Sequence, residues 1–384
     1  MTKKIVVLAL IALLCSCSSK SSKDANLKPA DLVKFKATAD VKRNWSVDVG
    51  AGHGKRYTRF VPAIDGARVY AADAEGNVSA YKLDSGKKIW RVDTGLQIGG
   101  AINAVDGQLY LGTYDGYVVA LSEEDGHLLW KSEVSSEVIS PPASDGTYVV
   151  ADTLDGRAYG FKAKTGEQLW RYDHPMPILT LRGLSTPVIS REQVLVGFDN
   201  GQLLSLGLED GSVQWSIRLS QPSGRTDLEK MVDVDSKPVI DGGLVYDANY
   251  HGSVVALSRA QGKAIWKQEV STQYNIAVGQ GLVIVTDEDS HIYAYDANSG
   301  AITWKNTSLH RRNAGAPAII GNYVAVIDED NYLHLLSIYD GSFAYRFKPK
   351  GKRFHSQIVS YDKGFLTFSG SSELSSYRIV DKKK

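Results

Sequence analysis

Eight histidines and 43 acidic residues are the groups from which this 384-residue chain could build a metal centre or an acid–base pair. The histidines (His53, His127, His174, His251, His291, His310, His334, His355) are scattered, with no two at metal-ligand spacing, so no metal site is expected. The carboxylates fall mostly in recurring turns, such as Asp115, Asp125, Asp155 and Asp210, where an Asp side chain caps the backbone. GAGHGKRYT at 50–58 has some of the glycines of a phosphate loop. It lacks the first glycine, where Val49 stands, and the Ser or Thr after the lysine, where Arg56 stands. No G-x-S-x-G elbow offers a nucleophile. With 44 basic residues and a formal charge of +1, no basic face is available for nucleic acid. No catalytic step has an owner, and the expectation is a non-enzyme without cofactor or metal.

Two segments carry residues suited to gripping another protein. In Pro175-Met176-Pro177-Ile178-Leu179-Thr180-Leu181-Arg182-Gly183 the prolines disfavour a helix and favour an extended run. Leu179 and Leu181 then point to one side, beside Arg182. Apolar residues clustered in a loop suggest a contact patch. Burying both leucines in a partner would contribute roughly 3–6 kcal/mol before the costs of association. The second segment, Met231-Val232-Asp233-Val234-Asp235, places two carboxylates on one side of an extended strand. Alternatives stay open: the leucines fold back onto the domain that bears them, or the aspartates pair with Arg182 and only shape the loop.

The elements that must position these segments are repeats. Trp90, Trp130, Trp170, Trp215, Trp266 and Trp304 each stand four residues after a glycine, and another glycine usually precedes that one by ten. The sixth copy has Ser290 in the earlier glycine's place, and a weaker seventh reads Asn331, Gly341, Tyr345. Within Ala104–Trp130 the pairs Asp106-Gly107, Asp115-Gly116 and Asp125-Gly126 separate short runs rich in Val, Leu and Tyr, the pattern of strands and hairpins. A fourth run, often with proline, precedes each copy: VPAI (61–64), TPVI (186–189), KPVI (237–240). Four antiparallel strands at about 40 residues make a propeller blade, with the aromatic docked between blades. Three C-terminal strands remain, and one N-terminal strand, RNWSVDV (43–49) with Trp45, remains to pair with them. The expected fold is all-β: an eight-bladed β-propeller of four-stranded antiparallel blades, its ring closed by the N-terminal strand pairing with C-terminal strands. From Trp170 to Gly201 is 31 residues and from Trp215 to Gly252 is 37, against 24–27 at most other junctions. Trp45 to Gly76 is also 31. The two longer consecutive connections hold the segments described above and are expected on one face at adjacent blades.

Lys3, Lys4 and the apolar run from Ile5 to Leu14 form a secretory signal too short to span a bilayer. Leu14-Cys15-Ser16-Cys17 resembles a bacterial lipobox. Cys17 is the expected lipidated residue, since bulky Leu14 fits poorly before Cys15; a disulfide between the two cysteines is the alternative. No other cysteine exists. The division expected is 1–16 signal peptide, 17–36 flexible tether and 37–381 propeller. Ser18 after the lipidated cysteine, rather than an aspartate, favours the periplasmic face of the outer membrane.

The G-x-x-x-W phrase after a V/L-x-A-L/Y strand, as in GYVVALSEEDGHLLW and GSVVALSRAQGKAIW, resembles the repeat of pyrroloquinoline quinone (PQQ) dehydrogenases. That likeness implies the propeller; its functional counterpart, the alternative reading, is a small PQQ- and Ca2+-dependent quinoprotein dehydrogenase. With the lipobox, eight such blades in under 400 residues and the two loops, the chain more closely resembles the BamB family of the outer-membrane β-barrel assembly (BAM) machinery. This resemblance implies a scaffold that binds BamA, reaches other subunits indirectly and aids insertion of barrel proteins. Clients held by strand addition are a further expectation. The family's Leu-x-Leu-Arg and Asp-Val-Asp loops map onto Leu179, Leu181, Arg182, Asp233 and Asp235. A third reading, a ligand in the central channel, would need polar residues of several inner strands to converge. Those runs read small and apolar, so no such convergence is expected.

Overall fold

In the computed structural model, residues 28–54, 60–175, 185–220 and 236–381 are described. They form eight sheets of four antiparallel strands. Blade 1 runs β2 (Ala63–Asp65), β3 (Arg68–Ala72), β4 (Asn77–Lys82), β5 (Lys88–Asp93), and six further blades repeat this order. Blade 8 joins β30 (Val359–Tyr361), β31 (Gly364–Phe368) and β32 (Glu373–Asp381) to β1 (Ala39–Asp48) from the other end of the chain. Nine residue pairs of β1 and β32 are in register, from Ala39 with Asp381 to Asp48 with Glu373. Pairing the two ends in one sheet closes the ring.

The inner strands are shorter than the apolar runs suggest. The prolines of those runs (Pro62, Pro187, Pro238) precede the ladder rather than starting it. A residue without an N–H has no bond to give there, so pairing begins at Ala63, Val188 and Val239.

The tryptophans explain why the sheets form a ring. Each stands on an outer strand opposite a small residue: Trp90 on Ala80, Trp130 on Ala120, Trp170 on Gly160, Trp215 on Ser205, Trp45 on Ser376. The ladder bulges beside each such pair. A Cβ on Gly160 would lie 2.2 Å from the Trp170 indole, so this position takes no side chain. Each indole then reaches the next blade. Trp45 Nε1 donates to Leu83 O (2.8 Å), Trp170 to Leu208 O (2.9 Å) and Trp304 to Ile338 O (2.8 Å). The ring face rests on the glycine of that blade's last hairpin, as Trp170 does on Gly211 at positive φ. Repeat n thus supplies the wedge and repeat n+1 its seat. Trp45, unpaired in the sequence, is the wedge between blade 8 and blade 1. Accordingly the buried residues cluster between neighbouring blades, as Tyr110, Trp130, Tyr159 and Phe161 do between blades 2 and 3.

The junction from blade 7 to blade 8 has Tyr345 opposite the larger Leu335. There the segment before β1 adds cover. Phe35 stacks on Phe343 with centroids 5.4 Å apart, Arg346 Nη1 donates to Val33 O (3.0 Å), and Arg312 Nη1 donates to Ala30 O (2.9 Å).

Alternating strand direction assigns the loops to two faces. Connections from one blade's outer strand to the next inner strand share a face with the hairpins between second and third strands. Backbone bonds join the two sets, as Leu154 N to Glu137 O (3.0 Å) and Glu329 N to Arg312 O (3.0 Å). The last hairpin of each of blades 1 to 7, which seats a tryptophan, lies on the opposite face.

Candidate docking face

Cys17, Leu179, Leu181, Arg182, Asp233 and Asp235 lie outside the described residues, so their side chains have no described geometry. The structure does place the roots of both loops. One connection leaves β13 (Gln168–Asp173) of blade 3 and enters β14 (Val188–Ser190) of blade 4. The other leaves β17 (Val213–Arg218) of blade 4 and enters β18 (Val239–Asp241) of blade 5. Both run from an outer to an inner strand, so they rise from one face at consecutive junctions. Their ends meet: Ser185 Oγ donates to Ser236 O at 2.9 Å, with both residues buried.

Each root is held in turn. His174, just past β13, stacks on Phe198 of blade 4 with centroids 4.2 Å apart, and burial lowers its pKa. Packed this way the ring stays neutral and serves as a spacer. At the start of the second connection, Leu219 is buried and its carbonyl accepts from Lys267 Nζ at 2.9 Å. At its end Ser236 Oγ bonds Asp247 Oδ1 and lies 2.8 Å from Ala248 O. Desolvation raises the fully buried Asp247 carboxyl to about 7. Asp152, bonded by Ser140 at the end of the connection from blade 2 to blade 3, is raised to about 7 by the same cause. Three consecutive connections therefore end in a buried serine (Ser140, Ser185, Ser236), and two of these are tied to a buried carboxyl. The two loop roots are thereby held at a fixed spacing. Sequence reading missed these serines; their signal is the recurrence of Ser just before the proline run.

The packing of a blade against its following connection also pairs histidines that the sequence scatters. His291 and His310 stack at 5.1 Å, His310 Nδ1 lies 3.1 Å from His291 Nε2, and His291 Nδ1 lies 3.0 Å from Asp287. This joins a hairpin of blade 6 to the following connection. Among the described residues no group of three or more His, Cys, Asp or Glu could hold a metal ion.

Comparison with known proteins places the chain. The family described as "Outer membrane protein assembly factor BamB" matches residues 74–306 and 251–370. The protein so named from Xanthomonas campestris is 33% identical in an alignment that covers 99% of this chain and 98% of that one. That from Bordetella pertussis is 32% identical, covering 96% and 95%, and that from Escherichia coli K12 is 29% identical, covering 93% of both. Among solved structures, BamB from Moraxella catarrhalis superposes with a TM-score of 0.81 at 23% identity, covering 88% of this chain and all of that one. The quinohemoprotein alcohol dehydrogenase of Comamonas testosteroni has a TM-score of 0.70 at 13% identity, a likeness of fold alone that does not favour the dehydrogenase reading. On family match and on identity along nearly the whole chain, this protein belongs to the BamB family of outer-membrane protein assembly factors.

Proposed function

We propose that this chain is a non-enzymatic scaffold that binds BamA through the face carrying the 174–187 and 219–238 connections, so assisting insertion of β-barrel proteins into the outer membrane. The observation that carries this reading is the Ser185–Ser236 bond, which holds the two loop roots together on one face of the ring. Leu179 and Leu181 supply the apolar contact, and Arg182, Asp233 and Asp235 fix register by charge. Acylation at Cys17 holds the protein at the periplasmic side of the outer membrane and raises its local concentration near its partner. The test is co-purification of BamA from detergent-solubilised envelopes with Leu179→Asp or Arg182→Glu chains whose thermal midpoint matches the parent. Loss of BamA from both variants is the expected result; retention by folded variants removes the site.

A further inference from the structure

The channel mouth holds side chains outside the five residues assigned to BamA, although Lys237 belongs to the 219–238 connection. A cavity of about 560 Å3 lies among the inner strands of blades 4, 5, 6 and 8. Val188, Ile189, Val239, Ile240 and Ile276 give it aliphatic walls, and Lys237, Asn275 and Gln357 line it just ahead of their strands. Polar residues of three inner runs do converge here, contrary to the expectation from their small, apolar composition. The run register brings them together, since each immediately precedes its run's first buried residue (Pro238, Ile276, Ile358).

Their bonding leaves a one-sided surface. Lys237 N donates to Asn275 Oδ1 at 2.8 Å, and Asn275 Nδ2 donates to Gln357 Oε1 at 2.8 Å. A backbone N–H can only donate, so it fixes the first amide's orientation, and the first fixes the second. Both side-chain oxygens are engaged, while Gln357 Nε2 and Lys237 Nζ remain as donors. The Lys237 side chain is exposed toward the lumen, and packing of protein around it lowers its pKa, with no charged neighbour among the described residues to offset this. A partly desolvated ammonium at the lumen wall favours a ligand that brings an anion to it.

We propose that the channel mouth binds a carboxylate carried on an apolar body, with Lys237 as counter-ion and Gln357 Nε2 as second donor. One ammonium matches a monoanionic head, and the aliphatic walls match an apolar body of the size such a cavity encloses. A free small acid and the C-terminal carboxylate of an extended peptide share this chemistry. The site uses none of the residues assigned to BamA, so either assignment can fail without the other.

The experiment is calorimetric titration of the full chain with two probes, 4-phenylbutyrate and the peptide acid acetyl-Ala-Val-Leu, each alongside its amide. The acid forms are expected to bind one to one and the amides at least about tenfold more weakly. Binding of 4-phenylbutyrate alone identifies a small acid as the ligand type, and binding of the peptide acid identifies a chain end. Lys237→Met abolishes the preference for acid over amide and Lys237→Arg keeps it, with tryptophan fluorescence showing both variants folded. The proposal is overturned if neither acid binds at about 10 mM, if amides bind equally, or if the folded Lys237→Met chain still prefers the acids.

Discussion

Asp247 and Asp152 are carboxyls that folding removes from water, each satisfied on one oxygen by a serine of a neighbouring connection. The Oδ2 atom of each is buried without a partner, as suits a protonated acid. The sign of the pH effect follows. The folded pKa of each, about 7, lies above the ordinary carboxylate value of 3.8. From about pH 4 to pH 7 the folded state binds protons that the unfolded state has released, so this contribution to stability is present at low pH and lost as pH rises. Each such group costs about 1.4 kcal/mol per pH unit in that window. Urea denaturation at pH 5 and pH 8 should therefore show Asp247→Asn losing less stability between the two than the parent, by a few kcal/mol. Equal losses would mean that Asp247 titrates normally and that the second connection's root is not tied to a neutral acid. At the same scale, Gly160→Ala should cost about 1–3 kcal/mol, because the new methyl meets an indole that has nowhere to go.

Among elements, the unit of stability is the junction between blades rather than the blade. An outer-strand tryptophan, the small residue opposite it, a carbonyl of the next blade and that blade's hairpin glycine act as one joint. The chain's ends make the joint at blade 8 with the same parts as the internal ones. Trp45 and Trp170 are equally buried, and each indole N–H meets a carbonyl at 2.8–2.9 Å. Trp45→Ala should then destabilise as much as Trp170→Ala, about 3–5 kcal/mol each by urea denaturation. A loss below about 1 kcal/mol for Trp45→Ala alone would show that the closing joint is looser than the others. This level was the most legible in the sequence. Each Gly-x-x-x-Trp phrase carries a blade's own wedge and the seat for the preceding blade's wedge, so the recurring phrase exposes both parts of the joint. Blade 8 was legible because its strands were what remained at both ends. The short inner strands were not, since apolar composition does not reveal that a proline precedes the ladder.

For the whole molecule, a ring of eight sheets brings together residues that no local pattern relates. Ser185 meets Ser236, His291 meets His310, and Asn275 meets Gln357 across 82 positions of sequence. Packing of blades and their connections creates each contact, which is why sequence reading found the two long connections but neither their shared root nor the donor-lined channel mouth. The ring also separates surfaces: the connection face carries both long loops, while the opposite face carries the tryptophan seats and exposed groups such as Tyr339. A scaffold that docks by one face should be indifferent to changes on the other. The most direct measurement is the affinity of purified BamA periplasmic domains for the folded parent, Arg182→Glu and Tyr339→Asp chains. The account predicts at least about a hundredfold loss for Arg182→Glu and parental affinity for Tyr339→Asp. Parental affinity for Arg182→Glu, or a comparable loss for Tyr339→Asp, would contradict it.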